Sequence, residues 1–313
     1  MRLPRKFAAT RSCKGDVYMA SVIKPSPSRK VFLICNTIFF SLILFLCLYP
    51  MWYVMIQSFS SGDRSADAII LPVGFTLSNY AELLKMPEIF RAFGISILRT
   101  VLGTCFSVMS AMLLGYVFSK EEMPFRKVMY RFLIITMYVS GGLIPTYLVY
   151  KAYGLLNNFW VYVIPGIVSA YNVILVKTYV EQMPIALEES AMIDGANTVT
   201  IFAKIILPLA LPMAATIAIY ASVGQWNSWF DNQIYTVANK SLTTLQFLLY
   251  NYLNEAEQLL EEMKEMGDEA DVVLTPRGVR MTVTMVTVIP ILCVYPFMQR
   301  YLIKGIMIGA VKG

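Results

Sequence analysis

Long apolar runs, each followed by a polar or charged segment, recur six times along this chain of 313 residues. A bilayer core needs about 20 consecutive apolar residues per helix, and five of the six runs contain no Asp, Glu, Lys or Arg. Strands of a membrane barrel would instead show about ten residues of alternating polarity. We therefore predict an all-α membrane protein with six transmembrane helices. Their approximate bounds are residues 31–56, 94–118, 132–150, 152–176, 205–230 and 281–299.

The overall composition agrees with a membrane location and excludes several classes of enzyme. Hydrophobic residues make up 57% of the chain and charged residues 15%, whereas a soluble domain carries about a quarter charged residues. The sequence contains no histidine, which removes histidine-based catalysis and histidine-ligated metals. The five cysteines lie singly, without a C-x-x-C spacing, so neither a zinc site nor a disulfide framework is indicated. We predict no enzymatic activity and no bound metal in this chain.

The distribution of lysine and arginine predicts which side of the membrane each loop faces. Residues 1–30 form a basic tail with eight basic residues and one acid, and the loop 119–127 adds three bases. Residues 231–280 hold nine acids and four bases. Because positively charged loops face the cytoplasm, both termini and the loop 177–204 are predicted to be cytoplasmic and 231–280 extracellular. The net charge of +6 is then an orientation signal and does not indicate nucleic-acid binding.

The loop between the fourth and fifth runs, residues 179–204, has the pattern of a helical hairpin. Pro184 suits the first turn of a helix, Gly195 is placed to end that helix in the left-handed conformation, and Asn197 can cap a second helix. Two interpretations follow from these residues. The hairpin is either a solvated connector or a docking element for a soluble partner that receives a helix in a groove.

Polar and aromatic residues inside the runs mark a candidate path for a hydrophilic solute. Aromatic rings stack on sugar faces, and Asn and Gln side chains bind hydroxyl groups. The same residue types also form hydrogen bonds between helices or belts at the membrane surface, and these alternatives stay open. Arg99, the one charge inside a run, lies near an end of its run and is predicted to extend toward the membrane surface. The candidate path residues are Tyr171, Asn172, Gln225, Trp226, Asn227 and Trp229.

Residues 189–212 resemble the EAA signature of permease subunits in binding-protein-dependent ABC importers. The acid, the small pair and the glycine stand at the spacing of that signature, and the following I-x-L-P-L segment also matches. Ser190 replaces the usual alanine but is also small. The matching residues are Glu189, Ser190, Ala191, Asp194, Gly195, Ala196, Phe202, Ile205, Leu207, Pro208, Leu209 and Pro212.

Three other segments are similar to the carbohydrate-uptake branch of that family. They are T-L-S-N-Y at 76–80, Q-W-N-S-W at 225–229 and the closing segment 299–313. The resemblance covers roughly residues 31–313 and is closest to the second permease of the maltose-type group, in the branch that handles complex oligosaccharides.

The resemblance implies the type I importer permease fold, in which the hairpin supplies a pair of coupling helices. It also implies a complex in the bacterial cytoplasmic membrane with a second, homologous permease, two ATPase subunits (identical or different), an extracellular solute-binding lipoprotein and an oligosaccharide substrate. No G-x-x-x-x-G-K-[ST] motif occurs in this sequence, so ATP and Mg are expected on the ATPase subunits and no cofactor is expected here. Glu189 would pair with a basic ATPase residue. The implied coupling residues are Glu188, Glu189, Ser190, Ala191, Asp194, Gly195, Ala196 and Phe202.

A stand-alone secondary transporter or channel for a small polar solute is the alternative. Such a protein needs an acidic or basic group buried within its spans for ion coupling and often contains an inverted repeat, and the sequence indicates neither. The acidic segment 254–271 has apolar residues at helical spacing. It is interpreted either as a solvated helix or as a docking element for the binding protein.

Overall fold

The computed structural model describes residues 27–60, 68–254 and 276–310. The chain divides into two compact units, Met1–Met51 and Trp52–Gly313. All regular elements in the described ranges are helical, and one isolated antiparallel bridge joins Ser60 and Phe75. Most of the basic tail and nearly all of the acidic segment 254–271 lie outside the described residues.

Helices of very different lengths follow one another along the chain. Short 3₁₀ turns occur at Phe159–Tyr162, Ile164–Gly166 and Lys240–Leu242, and a π-helical turn occurs at Phe202–Ile206. The α-helices of the described ranges are α1 (Pro27–Ser58), α2 (Ser78–Lys85), α3 (Pro87–Ser119), α4 (Arg126–Tyr138), α5 (Leu143–Ala152), α6 (Ala170–Val180), α7 (Ala186–Ile193), α8 (Thr198–Ile201), α9 (Leu207–Leu209), α10 (Leu211–Asn227), α11 (Phe230–Tyr235), α12 (245–254) and α13 (Pro276–Ala310).

Among the described residues, two helices are long and apolar enough to cross a membrane as single elements. α1 has 32 residues and α3 has 33, and they contain the first two predicted runs. Three further pairs of elements are long and apolar enough to cross a membrane only when the two members are counted together, and each pair is bent at a short break. The bend is 117° between α4 and α5, 41° between Phe159–Gly166 and α6, and 75° between Thr198–Leu209 and α10. The shorter apolar stretch Arg280–Pro296 in α13 coincides with most of the sixth run.

The third, fourth and fifth runs were each predicted as one helix but are broken, and backbone chemistry explains two of the breaks. Between α4 and α5, Gly142 has φ of +84°, a conformation that glycine adopts readily and other residues rarely do. Between α9 and α10, Pro212 has no N–H to donate to the carbonyl of Pro208, which interrupts the helical hydrogen-bond ladder. Hydropathy reports the character of side chains, whereas these breaks depend on backbone conformation and hydrogen bonding. A count of apolar residues therefore does not detect them.

α3 is the central helix of the second unit, since it packs against both α6 and α10. At Gly115 the helices α3 and α6 approach closely, because a Cβ built on this glycine would lie 2.5 Å from Cβ of Val176. A buried core joins this end of α3 to α6, α7, α8 and α10. We call this end of α3, the one nearest to α7, the hairpin end. The core members are Ala111, Met112, Tyr116, Val176, Val180, Ala191, Ile201, Ile206, Ala210, Ala214 and Ile217.

The T-L-S-N-Y segment anchors the polypeptide at the end of α1. Asn79 is buried, and its amide donates hydrogen bonds to the backbone carbonyls of Ser58 (3.1 Å) and Ser60 (3.2 Å). The Tyr80 hydroxyl lies 2.7 Å from Oγ of Ser58. Asn79 therefore satisfies carbonyl groups that a helix end leaves without helical partners. In this structure the motif holds the chain in place between α1 and α2.

Candidate functional site

Local backbone signals form the helical hairpin. α7 ends before Gly195, which has φ of +80° and donates its N–H to the carbonyl of Met192 at 3.0 Å. Oδ1 of Asn197 accepts the N–H of Thr200 at 2.8 Å and caps α8. Both features were predicted from the sequence and both are confirmed.

The hairpin has one face against the protein and one face exposed. Ala191 and Glu188 are each 8% exposed, and Ala191 belongs to the buried core. Ala196 and Phe202 are half-buried, and the Phe202 ring lies 5.2 Å from the ring of Tyr116. Apolar and acidic side chains share the other face, where Ile193 is 86% exposed. The exposed residues are Ile185, Leu187, Glu189, Ser190, Met192, Ile193, Asp194 and Gly195.

Glu188 is held by a lysine at the end of α3. Nζ of Lys120 donates to Oε2 of Glu188 and lies 4.5 Å from the centre of the Tyr116 ring. Burial lowers the pKa of Lys120 from its ordinary value, and the nearby carboxylate of Glu122 acts in the opposite direction. The hairpin therefore contains two adjacent acids with different environments, because Glu188 is paired inside the protein and Glu189 is exposed.

A second set of ion pairs joins the first residue of α4 and the last turn of α6 to Glu181, the residue that follows α6. Nη2 of Arg126 lies 2.5 Å from Oε1 of Glu181, and Nζ of Lys177 lies 2.8 Å from Oε2 of the same carboxylate. Nε of Arg126 also donates to the carbonyl of Phe118 at 2.8 Å. These contacts do not involve α7.

A cavity of about 510 Å³ lies between α3, α10, α11 and the segment that joins α5 to α6. We call it the central cavity. Tyrosines, amides and small residues dominate its wall, which suits a ligand with both apolar faces and hydroxyl groups. The lining residues include Arg99, Gly103, Ser107, Tyr150, Tyr162, Asn172, Tyr220, Gly224, Gln225, Asp231 and Tyr235.

Arg99 forms one wall of the central cavity and uses all of its donors. Its Nη2 lies 2.5 Å from Oδ2 of Asp231, and its Nη1 donates to Oδ1 of Asp231 at 3.2 Å and to the carbonyl of Ser228 at 3.3 Å. Nε and Nη2 donate to Oε1 of Gln225 at 3.2 and 3.1 Å. The guanidinium also lies 4.4 Å from the centre of the Tyr162 ring. A guanidinium has five N–H groups, so these five contacts leave none for a ligand.

The prediction that Arg99 extends to the membrane surface is wrong, because the side chain is only 2% exposed. Asp231 directly follows the fifth run, and the fold brings its carboxylate to the guanidinium. Paired, hydrogen-bonded charges are tolerated in the interior where a single charge is not. The acid just past the fifth run was the signal in the sequence that could have suggested this pair.

Two of the six predicted path residues line the central cavity, namely Asn172 and Gln225. The Gln225 amide donates to the carbonyl of Tyr162 at 3.2 Å, while its oxygen accepts from Arg99. It also lies against Gly103, where a built Cβ would come within 2.5 Å of its Nε2. Sequence reasoning missed the four tyrosines of the wall, because they lie on four different elements that only the fold brings together. They are Tyr150, Tyr162, Tyr220 and Tyr235.

The other four path residues lie elsewhere. Trp226 is buried and donates its indole N–H to a carbonyl of α13 at 3.1 Å. Trp229 stacks on a tyrosine ring of α12 at 4.1 Å between ring centres. Tyr171 and Asn227 are exposed, and neither belongs to the cavity wall. Trp226 and Trp229 thus pack against other helices in this structure.

Comparison with known proteins gives this geometry a context. A family model described as "Binding-protein-dependent transport system inner membrane component" matches residues 103–308. That range contains the hairpin and most of the cavity wall.

Individual relatives match over nearly the whole chain. Protein LplC of Bacillus subtilis is 34% identical over 287 residues, which is 91% of this chain and 96% of LplC. The polygalacturonan/rhamnogalacturonan transport system permease protein YtcP of the same organism is 34% identical, over 86% of this chain and 93% of YtcP. Among solved structures, a chain of a bacterial ABC transporter involved in the import of the acidic polysaccharide alginate superimposes with a TM-score of 0.79 at 27% identity. That match covers 88% of this chain and 98% of the other.

Proposed function

This chain belongs to the family of binding-protein-dependent transport system inner membrane components, and we propose that it is one of two permease subunits in an ATP-driven oligosaccharide importer. The observation that supports this function most strongly is the exposed hairpin on a helical membrane protein. The hairpin, which contains the start of the EAA-like segment, is anchored by Ala191 and Glu188, while Ile193 and Glu189 are exposed. Four apolar side chains of the hairpin are exposed, namely Ile185, Leu187, Met192 and Ile193, and exposed apolar surface of this kind favours an interaction site over a solvated connector.

We propose that the chain crosses the bacterial cytoplasmic membrane six times, with both termini and the hairpin in the cytoplasm. α1 and α3 supply two spans, the three bent pairs supply three and α13 supplies the sixth. The lysine and arginine distribution supports this orientation. Labelling of single cysteines with a membrane-impermeant thiol reagent tests it in a cysteine-free chain. Val237 is exposed and lies on the proposed extracellular side, so Val237→Cys should be labelled in intact cells. Ser190 lies on the proposed cytoplasmic side, so Ser190→Cys should be labelled only after permeabilisation.

Coupling to ATP hydrolysis would occur at the exposed face of the hairpin. In this proposal Ile193 and Met192 enter a groove on an ATPase subunit, and Glu189 pairs with a basic residue there, as in helix-in-groove recognition. ATP and Mg bind the two ATPase subunits. A second, homologous permease completes the path, and an extracellular binding protein delivers the substrate.

The proposed substrate is an oligosaccharide, and the names of YtcP and of the alginate transporter favour an acidic one. The central cavity would contribute contacts to sugar rings and hydroxyl groups, since Tyr150, Tyr220 and Tyr235 present aromatic rings and Asn172 presents an amide. Arg99 would not bind the sugar carboxylate, because its donors are all engaged within the protein. In this proposal the recognition of carboxylates falls to the other subunits.

The stand-alone secondary transporter has one observation in its favour, the buried ion pair of Arg99 and Asp231. Buried ionisable groups in membrane segments often carry ion coupling. The two functions differ in their energy source. A secondary transporter would take up sugar in response to an ion gradient without ATP.

Reconstitution of the complete complex in proteoliposomes tests the proposed function. We expect uptake of labelled oligogalacturonides or oligoalginates to require both ATP and the binding protein, and to be unaffected by ionophores. Replacing Ile193 by Asp should abolish co-purification with the ATPase subunits, whereas Val237→Asp, an exposed change away from the hairpin, should not. Uptake that needs only an ion gradient would establish the alternative instead.

A further inference from the structure

Glu188 faces the protein although it is adjacent to the exposed Glu189, and this difference gives it a separate role. We propose that Lys120 and Glu188 are positioning residues that fasten α7 to the end of α3, so that a displacement of the hairpin moves α3. The inference rests on the proposed function, because it concerns how ATPase movement reaches the membrane helices. It separates two neighbouring acids into one that contacts the ATPase, Glu189, and one that does not.

The covalent connections of the hairpin are poorly suited to transmit a displacement. On one side, residues 181–185 form turns between α6 and α7 without a continuous helix. On the other side, the chain leaves α8 through the π-helical turn Phe202–Ile206 and then bends by 75° before α10. Interruptions of this kind are common hinge positions. Side-chain contacts must therefore hold the hairpin to the helices if it is to act as a rigid lever.

Two features of α7 meet that requirement: Ala191 belongs to a buried core that it shares with α3, and Glu188 contacts the end of α3 directly. Ala191 packs in the core that includes Met112 and Tyr116 of α3. Glu188 accepts from Lys120, the residue that ends α3, and the same ammonium group lies over the Tyr116 ring. Ala191 supplies apolar contact without direction, whereas the ion pair joins two particular atoms through a charge-assisted hydrogen bond. The ion pair is the contact that resists sliding of α7 along α3.

α3 connects this contact to the central cavity. The helix runs from Pro87 to Ser119 without an internal proline, and the distance along it from Lys120 to Arg99 is about 30 Å at the usual rise per residue. Arg99 in turn is bonded to Gln225 of α10 and Asp231 of α11. A displacement of the hairpin end of α3 would therefore reach two elements of the cavity wall.

The neighbouring ion pair of Arg126 and Glu181 offers a matched control. It lies at the same end of the helices and also joins two elements, but it fastens the start of α4 to the end of α6 and does not involve α7. Its side chains are 23% and 35% exposed, and such pairs usually contribute little. If any ion pair at the hairpin end could couple the hairpin to the membrane helices, mutation of either pair would reduce the stimulation of ATP hydrolysis equally.

The first experiment compares Glu188→Gln, Lys120→Met and the control Glu181→Gln in the reconstituted complex. The readout is the ratio of ATP hydrolysis with and without substrate-loaded binding protein, and co-purification of the ATPase subunits is measured in parallel. We expect Glu188→Gln and Lys120→Met to retain the ATPase subunits. The stimulation of ATP hydrolysis should fall at least about fivefold, which is the lower end of ordinary coupling effects. Glu181→Gln should keep its stimulation. The exchange Lys120→Glu with Glu188→Lys should restore most of the loss, which a merely structural role of either residue would not predict.

A second experiment remains decisive if Glu188→Gln fails to assemble. Lys120→Cys and Glu188→Cys in a cysteine-free chain are joined by a short bifunctional thiol reagent. Because the two positions should move together, the cross-linked complex should hydrolyse ATP with the same stimulation as the wild type. The proposal would be overturned if the cross-linked complex lost its stimulation of ATP hydrolysis. It would also be overturned if Glu188→Gln, without any cross-link, kept the full stimulation. Absence of ATP-dependent uptake in the wild type would instead disprove the proposed function.

Discussion

α3 carries a charged contact toward each end, and the two contacts are built differently. At the central cavity, the 2% exposed Arg99 uses all five N–H groups within the protein. At the hairpin end, the side chains of Lys120 and Glu188 are 24% and 11% exposed, and one ammonium group meets one carboxylate and one ring.

The difference shows that one helix can hold a fully bonded charge at one site and a partly exposed ion pair at another. A buried guanidinium in a planar fork fixes the orientation of every group around it. At the hairpin end, a single ammonium group holds one carboxylate of α7, and the opposite face of α7 is exposed. The cavity wall is thus held by contacts within this chain, whereas in the proposed function the hairpin is one half of an interface with an ATPase subunit.

The largest expected effect is at the hairpin turn. Replacing Gly195 by Pro should abolish uptake, because proline is restricted to φ near −65° and Gly195 has φ of +80°. The change also removes the N–H that donates to Met192. Uptake in whole cells and immunoblotting of the membrane fraction measure the effect. Gly195→Asn is the control, since asparagine tolerates the left-handed region, and uptake close to wild type is expected there.

The next largest effect is at the cavity contact. Replacing Arg99 by Met leaves the Asp231 carboxylate without its partner, and breaking a buried pair costs about 3–5 kcal/mol. The thermal unfolding midpoint of the purified complex in detergent should fall. Arg91→Met, a loss of an exposed arginine on the same helix, should leave it unchanged. Equal midpoints for Arg99→Met and wild type would show that the pair does not hold the cavity wall.

Replacing each of three glycines of α3 by alanine should affect the thermal unfolding midpoint to different extents, which ranks how tightly α3 is packed at each position. At Gly115 the new Cβ would meet Cβ of Val176 at 2.5 Å and the backbone N of Lys177 at 3.0 Å, and these atoms cannot turn away. At Gly103 it would meet only the side chain of Gln225, which can move at the expense of its bond to Arg99. Overpacking costs about 1–3 kcal/mol, with Gly115→Ala expected near the upper end. Gly94→Ala meets nothing within 4 Å, so its unfolding midpoint should not fall; any other order contradicts this reading of the helix contacts.

The smallest effect should come from the exposed ion pair at the hairpin end. Arg126→Gln removes a contact whose side chains are 23% and 35% exposed, and pairs of this kind contribute about 0–1 kcal/mol. The unfolding midpoint should shift by little, and less still at high salt, where exposed charges are screened. A loss as large as that of Arg99→Met would contradict the contrast between exposed and buried pairs.

Local features of the hairpin could be predicted because each depends on neighbours in sequence. Gly195 ends α7 and Asn197 caps α8 through backbone groups only three residues away. The coupling role of the same segment was implied by resemblance and stays a prediction. Among the path residues, Asn172 and Gln225 were placed at the cavity, while Trp226 and Trp229 were not, since a tryptophan at a helix end packs equally well against a neighbouring helix.

The sequence by itself determined the class of protein, its apolar helices and the hairpin, because hydropathy, charge and turn chemistry act over short stretches of chain. Only the tertiary structure decided which charges are paired. Arg99 and Asp231 lie 132 positions apart, and Lys120 and Glu188 lie 68 apart. Whether such side chains meet depends on the crossing and rotation of packed helices, which are set by close contacts such as that of Gly115 with Val176. Burial then makes each pairing consequential, since a charge inside the protein must find a partner.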